Sequence, residues 1–428
     1  MAVAKSLDQK LAILAKDRYH KSFILADAKD ADMAFGIASP GKSPEMHAHE
    51  GKHRTLSQYR QQIRDIVQQG LVDIMLMSAS TSDVLTIGEK LFAKSHITPA
   101  ARANDTTDIH IVRGGTYAQV PSRPFSSASI DHIQCGKVAC AEDERYLGAN
   151  LGLYSCTFNN IPERDLETLT AYKNFRHEAE RKGFKHFLEV FDPNVDSKIP
   201  PEQFGAFIND HIVRTLAGVP RSGRPLFLKI AYHGPKYMEE LCRYDESLIV
   251  GILGGSSGTT MDAFHMLAEA KGAGARVALY GRKINNSEHQ LSFVKALRLV
   301  ADDQITPTEA VKLYHGDLQK LNIKPYRAID QDMLLTSTAN NYGATGTGVV
   351  ISGTKPAAPA TTTAPVATKP AANAAPATAA SSKPKSSVRP RPAGIYPLKA
   401  DGTPDFAKMT ALQKQAYQKA RRDAIYGK

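Results

Sequence analysis

Pro225-Leu226-Phe227-Leu228-Lys229-Ile230-Ala231-Tyr232-His233-Gly234 is an apolar run interrupted by one cation. Side chains alternate along a strand, so Lys229 shares a face with Phe227 and Ala231, while Leu226, Leu228 and Ile230 take the other. Apolar surroundings disfavour the ammonium form of a lysine and free its amine for Schiff-base chemistry with a carbonyl. The plainer alternative is a lysine at a strand end that snorkels to solvent. The neighbouring elements decide between them.

On either side of this stretch the hydrophobic period switches repeatedly between two and 3.6. Strands are expected at 23–27, 72–77, 108–112, 151–158, 186–191, 226–231, 247–253 and 276–280. Helices are expected at 56–69, 162–182, 201–216, 262–270 and 289–300, with Pro162 in a first turn. A short helix capped by Ser6 carries Leu7, Leu11 and Leu14 on one side, fit to cover one end of a barrel. Eight short strands separated by helices predict an α/β fold, a (β/α)8 TIM barrel over residues 1–330. A doubly wound open sheet is the other arrangement with this pattern, because residues 113–150 are hard to parse and leave room for an inserted hairpin near 130–138.

The chain carries a formal charge of +11, but the charge is unevenly placed. Residues 351–428 hold thirteen Lys or Arg against three Asp, which leaves the preceding body nearly neutral. Residues 351–395 are rich in Ala, Pro and Thr, a composition that buries too little apolar surface to repay ordering and predicts a disordered linker. Beyond it, in 396–428, Phe406, Met409, Leu412 and Ala416 fall at helical spacing among lysines and arginines, a basic amphipathic helix suited to a protein partner. Four cysteines without disulfide-framework density suggest a reducing, cytoplasmic setting, and Cys135 and Cys140 lack a second close pair that would make a zinc site. No secretory signal is evident, and no apolar run approaches the ~20 residues of a membrane helix.

The strand ends carry the chemistry. In a barrel of this kind the active site lies at the carboxyl ends of the strands. Asp27 closes the first expected strand, Glu189 lies in Phe187-Leu188-Glu189-Val190-Phe191, and Lys229 lies on the sixth. The seventh runs into Gly254-Gly255-Ser256-Ser257-Gly258 and the eighth into Tyr280-Gly281-Arg282-Lys283. Taken together and in this order, these residues resemble the class I aldolases of the deoxyribose-phosphate and tagatose-bisphosphate aldolase group, at motif level over residues 23–300.

The resemblance implies a lyase that makes or breaks a carbon–carbon bond in a phosphorylated ketose, with no metal or other cofactor, and a homo-oligomeric assembly. It assigns the Schiff base to Lys229, removal of the hydroxyl proton to Glu189, and contact with the sugar hydroxyls to Asp27. The substrate phosphate falls to Gly254, Gly255, Gly281 and Arg282. Glycine lets backbone N–H groups approach phosphate oxygens, and arginine pairs with them bidentately, so the physical chemistry agrees. Each element also has a duller reading: a structural Glu189–Lys229 pair, a turn-capping Asp27, a flexible glycine turn. Tyr232 and His233 stand just past Lys229 and read first as ordinary loop residues, second as further proton-transfer candidates.

The pattern departs from the group in one place. Its tagatose-type members carry a second lysine on strand four, and residues 151–158 contain none, so Lys29 or burial alone has to take over its part. A non-catalytic sugar-phosphate-binding barrel with a partner-docking tail therefore stays open, as do relatives acting on deoxyribose phosphate or sulfo-sugar phosphates and, from another class, a tail that binds nucleic acid. Two motifs are set aside. Gly36-Ile37-Ala38-Ser39-Pro40-Gly41-Lys42-Ser43 spells a P-loop, but Pro44 and a polar stretch follow where a packed helix is required. His47, His49 and His53 in the same stretch read as a solvated loop, not as a metal site.

Overall fold

The computed structural model describes residues 3–41, 53–255 and 258–337, together with single positions between 397 and 417. The chain divides into two compact units, Met1–Lys355 and Pro356–Lys428. The linker at 351–395 lies outside the described residues. So do His47, His49 and the last two residues of the P-loop spelling, Lys42 and Ser43. Within the second unit Gln413, Lys414 and Tyr417 are helical, and Met409 is buried.

The first unit is a closed eight-stranded parallel barrel. Its strands are β1 (Ile24–Lys29), β2 (Ile74–Met77), β3 (Thr98–Arg102), β4 (Leu151–Thr157), β5 (Lys185–Phe191), β6 (Leu228–Ile230), β7 (Gly251–Leu253) and β8 (Val277–Tyr280). Strand β1 pairs with both β2 and β8, so no edge is left open and the doubly wound alternative is excluded. The helices that follow the strands start and stop where local chemistry directs. Leu56–Gln69 opens on a Thr55–Gln58 capping box and ends at Gly70 with φ +72°. Pro162–Arg181, Pro235–Tyr244 and Pro307–Lys320 each place proline in the first turn, where a missing N–H costs nothing. The last of these is an additional helix beyond the expected closing one, Gln290–Ala301.

Two apolar layers hold the barrel. Leu25, Met75, Met77, Leu188, Val190, Leu228, Ile230 and Tyr280 face outward onto the helices. Ile24, Ala26, Ile74, Leu76, Leu153, Phe187, Phe227 and Leu279 fill the interior, where the Phe187 and Phe227 rings stack at 4.6 Å. The amino-terminal helix, Ser6–Lys16, plugs the amino ends of the strands with Leu7 and Leu14. Ser6 does not cap it: its hydroxyl turns to the His96 carbonyl at 3.5 Å.

Three expectations are corrected. The third strand is Thr98–Arg102, while 108–112 begins in a turn and forms no strand, its Ile109 packing on Phe191, Ala231 and Leu253. The segment expected to hold a hairpin contains instead a short helix, Ile130–Cys135, capped by Ser129. Gly136, with φ +74°, turns the chain back so that Cys140 meets Cys135 in a disulfide with Cα atoms 6.0 Å apart. Cysteine usage therefore gives no argument for a reducing compartment. Among the described residues no helix is long and apolar enough to cross a membrane.

Candidate active site

Strand parity decides which side chains reach the interior. Ala26, Ile74 and Leu279 stand side by side and face inward, so Asp27, Met75 and Tyr280, one position on, face the helices. By the same alternation Ser155, Glu189 and Lys229 face inward, and they occupy paired positions on β4, β5 and β6. They form a polar layer directly above the apolar interior.

This layer is a chain of alternating charges. Lys229 Nζ lies 2.6 Å from Glu189 Oε1, and the Ser155 hydroxyl donates to Glu189 Oε2 at 2.8 Å. Arg102, from β3, donates to the same Oε2 at 3.4 Å, to the Ser155 hydroxyl at 3.0 Å, and through Nε to Asp30 Oδ2 at 2.6 Å. Burial alone would raise the Asp30 carboxyl, but the charges of Arg102 and Lys229 outweigh it and hold it below its ordinary value. Glu189 is wholly buried, whereas Lys229 keeps 4 % of its surface accessible. Asn104 locks the backbone beneath, accepting from Ser155 N at 2.6 Å and donating to Ser155 O at 2.9 Å.

The structure separates Asp27 from this group. Its carboxylate faces the helix layer and pairs with Lys29 at 3.0 Å, and Lys29 in turn donates to Asn285 at 2.6 Å. Burial raises the Asp27 carboxyl and lowers the Lys29 ammonium. Lys29 therefore does not stand in for the absent strand-four lysine. The second cation beside Glu189, after Lys229, is Arg102, and the carboxylate on the β1 side is Asp30, one residue beyond the strand.

The turns after β7 and β8 lie next to each other. Gly254 N donates to Leu279 O, continuing the β7–β8 ladder, and a Cβ there would sit 2.2 Å from the Tyr280 ring. Gly255 has φ +58°, a conformation that glycine adopts at low cost. At Gly281 a Cβ would stand 2.5 Å from the Ala28 carbonyl. Arg282 opens a short helical turn and packs its guanidinium on the Phe35 ring at 5.5 Å. Lys283 clamps the two turns together, donating to the carbonyls of Gly258 and Thr259, and burial lowers its ammonium to about 8. Ser256 and Ser257 lie outside the described residues.

Residues 103–122 fold over the mouth. Ile111 N reaches the Ala34 carbonyl beyond β1, and Asp108 accepts from Thr157 at 3.0 Å and from Ser122 at 2.8 Å. Ile109, Phe191, Ala231 and Leu253 form an apolar ring around the opening. At the rim His233 Nε2 lies 2.8 Å from Asp192.

Sequence reading missed Asp30, Arg102, Ser155, Asp192, Asn159 and Lys283. Parity counted from the inward-facing Ile24 points to Asp30, and counting on from Glu189 along paired strands points to Ser155. Arg102 had no such signal, because its strand was assigned elsewhere.

No protein-family model and no curated protein matches the chain. Among solved structures it is similar to an archaeal fructose 1,6-bisphosphate aldolase, with a TM-score of 0.50 and 14 % identity over 70 % of this chain and 100 % of that one. A Schiff-base-forming fructose-1,6-bisphosphate aldolase aligns with a TM-score of 0.49 and 14 % identity, over 69 % of this chain and all of its own length. At this identity the likeness establishes the barrel fold.

Proposed function

We propose that the protein is a class I aldolase acting on a phosphorylated ketose, with Lys229 as the Schiff-base lysine. The observation that carries this reading is the placement of Lys229. Its amine stands in the inward-facing polar layer near the carboxyl ends of the strands, touches a buried carboxylate at 2.6 Å, and retains a small accessible surface. A charge placed in a barrel interior costs free energy unless it is paired, and a reactive amine is one use for such a position.

The chemistry follows from the contacts. Glu189 takes a proton from the Lys229 ammonium, and the freed amine adds to the substrate carbonyl to give a carbinolamine. Returning that proton to the carbinolamine hydroxyl expels water and leaves an iminium. The iminium accepts the electron pair of the carbon–carbon bond when that bond breaks. Ser155 and Arg102 hold Glu189 in place through this exchange. Gly254, Gly255, Gly281 and Arg282, joined by the Lys283 clamp, are proposed to hold the phosphate through backbone N–H groups and one guanidinium. Fructose 1,6-bisphosphate, the substrate named for the structural relatives, is a suitable first ketose to try.

The test is intact mass after borohydride reduction in the presence of dihydroxyacetone phosphate, for the wild type and for Lys229→Ala. A mass increase present in the first and absent in the second is expected. No adduct with this ketone, with fructose 1,6-bisphosphate or with a panel of phosphorylated ketoses and aldehydes would overturn the reading in favour of a non-catalytic sugar-phosphate-binding barrel.

A further inference from the structure

Carbon–carbon cleavage needs two proton transfers at different places: one at the lysine nitrogen, the other at the hydroxyl of the departing carbon. Glu189 is fully buried, level with Lys229, and held by Ser155 and Arg102 as well as by the lysine. With Glu189 engaged at the lysine nitrogen, the hydroxyl assigned to it on sequence needs a base of its own, and the layers nearer the mouth are where one can stand.

Strand register identifies those layers. Above Ser155 and Glu189 come the paired Thr157 and Phe191, with Ala231 packed against Phe191, and Asn159 and His233 follow two residues further along the chain, past the strand ends. Phe158 and Tyr232 pack on the helix side, while Asn159 and His233 both contact the segment just past β5, at Asn194 and Asp192. His233 Nε2 lies 2.8 Å from Asp192 Oδ1, and both side chains are about nine-tenths buried. A carboxylate only accepts, so Nε2 carries the hydrogen, and in the neutral ring the lone pair is on Nδ1. Asn159 supplies a second, independent observation. It is fully buried, its Oδ1 accepts from Asn194 N at 3.0 Å, and its Nδ2 has no hydrogen-bond partner among the described residues. A buried amide donor left unmade is costly, so Asn159 Nδ2 is available to a substrate oxygen in this layer.

Building on the aldolase reading, we infer that His233, positioned by Asp192, is the acid–base group at the substrate hydroxyl, and that Asn159 Nδ2 donates to a substrate oxygen beside it. In cleavage Nδ1 takes the hydroxyl proton, the O–H electron pair forms the carbonyl of the departing aldehyde, and the carbon–carbon bond breaks. Its electrons form the enamine and neutralise the iminium nitrogen. The imidazolium, stabilised by Asp192, then protonates the enamine carbon, and water hydrolyses the regenerated iminium to release the ketone. No further reactant is required.

The two proton transfers are separable with dihydroxyacetone phosphate as probe. Borohydride trapping reads imine formation, and solvent deuterium exchange at the carbon next to the carbonyl reads proton movement on the substrate side. In His233→Gln the trapped adduct is expected to stay within twofold of the wild type while exchange falls by about 10²-fold or more. Asp192→Asn should lower exchange about tenfold with the adduct intact, which covers the case where the histidine variant folds poorly. Added imidazole should partly restore exchange in His233→Ala, a response that a purely structural role would not give. Exchange at the wild-type rate in His233→Gln, or loss of adduct and exchange together in a folded variant, would overturn the assignment. Absence of an adduct in the wild type is a different result: it removes the aldolase reading itself, and this inference with it.

Discussion

Lys229 Nζ and Glu189 Oε1 lie 2.6 Å apart at directly paired positions of neighbouring strands. The pairing has a kinetic consequence within the proposed reaction. Glu189→Gln leaves the lysine in place but removes the group that takes its proton. Imine formation with dihydroxyacetone phosphate should slow by about 10²- to 10⁴-fold without disappearing, the range expected for loss of one proton-transfer group. The time course of borohydride-trapped adduct measures it, and an unchanged rate would assign Glu189 a structural part.

Arg102 joins two buried carboxylates, Asp30 and Glu189. Arg102→Gln strands Asp30 without its nearest cation and should cost about 3–5 kcal/mol in urea unfolding, the usual range for breaking a buried ion pair. It should also alter the acid limb of stability. The Asp30 carboxyl is held below its ordinary value in the folded chain, so its contribution is fully present above the unfolded value and is lost as pH falls through the folded one. The wild type should lose stability in that acidic window, and Arg102→Gln should lose correspondingly less there. Parallel acid limbs in the two proteins would show that Asp30 is not held by Arg102.

Asp27 faces the helix layer with Lys29, away from Lys229, and this arrangement predicts a structural phenotype. Asp27→Asn should leave adduct formation within twofold of the wild type while lowering the unfolding free energy by about 3 kcal/mol, because a buried ammonium loses its counter-charge. A variant of normal stability that forms no adduct would place Asp27 in the chemistry instead.

The barrel was legible where strands are built from large β-branched or aromatic residues. Residues 186–191 and 226–231 each lie within two residues of a real strand. The third strand was not legible, because Thr98-Pro99-Ala100-Ala101-Arg102 carries small side chains and a proline, with little intrinsic strand preference. The apolar alternation in Asp108-Ile109-His110-Ile111-Val112 reflects a segment that packs Ile109 across the mouth. The error hid Arg102, the central cation of the site. Asp27 was misread for a related reason. Strand β1 is buried on both faces, so its apolar pattern carries no parity, and the inward residue emerges only from its register with β2 and β8. Lys229 and Glu189 were legible because each is a single charge set between apolar neighbours, Leu228 and Ile230 for the one, Leu188 and Val190 for the other.

The disulfide between Cys135 and Cys140 closes a short loop that follows the Ile130–Cys135 helix, whereas Cys156 and Cys242 are free and buried. Alkylation of the denatured, unreduced protein should therefore label two of the four cysteines, and reduction beforehand should raise the number to four. Because so few residues are enclosed, the cross-link restricts the unfolded chain modestly. Cys135→Ser combined with Cys140→Ser should lower the urea unfolding free energy by about 2 kcal/mol. The loop hangs from the outside of the barrel, where Gly148 and Ala149 return to the backbone carbonyls of Gln134 and Ile133, and it contributes no side chain to the layer around Lys229. Adduct formation with dihydroxyacetone phosphate should therefore be unchanged in the double variant. Four labelled cysteines without reduction would mean that the pair is open in the protein, and a lost adduct at normal stability would tie this loop to the mouth.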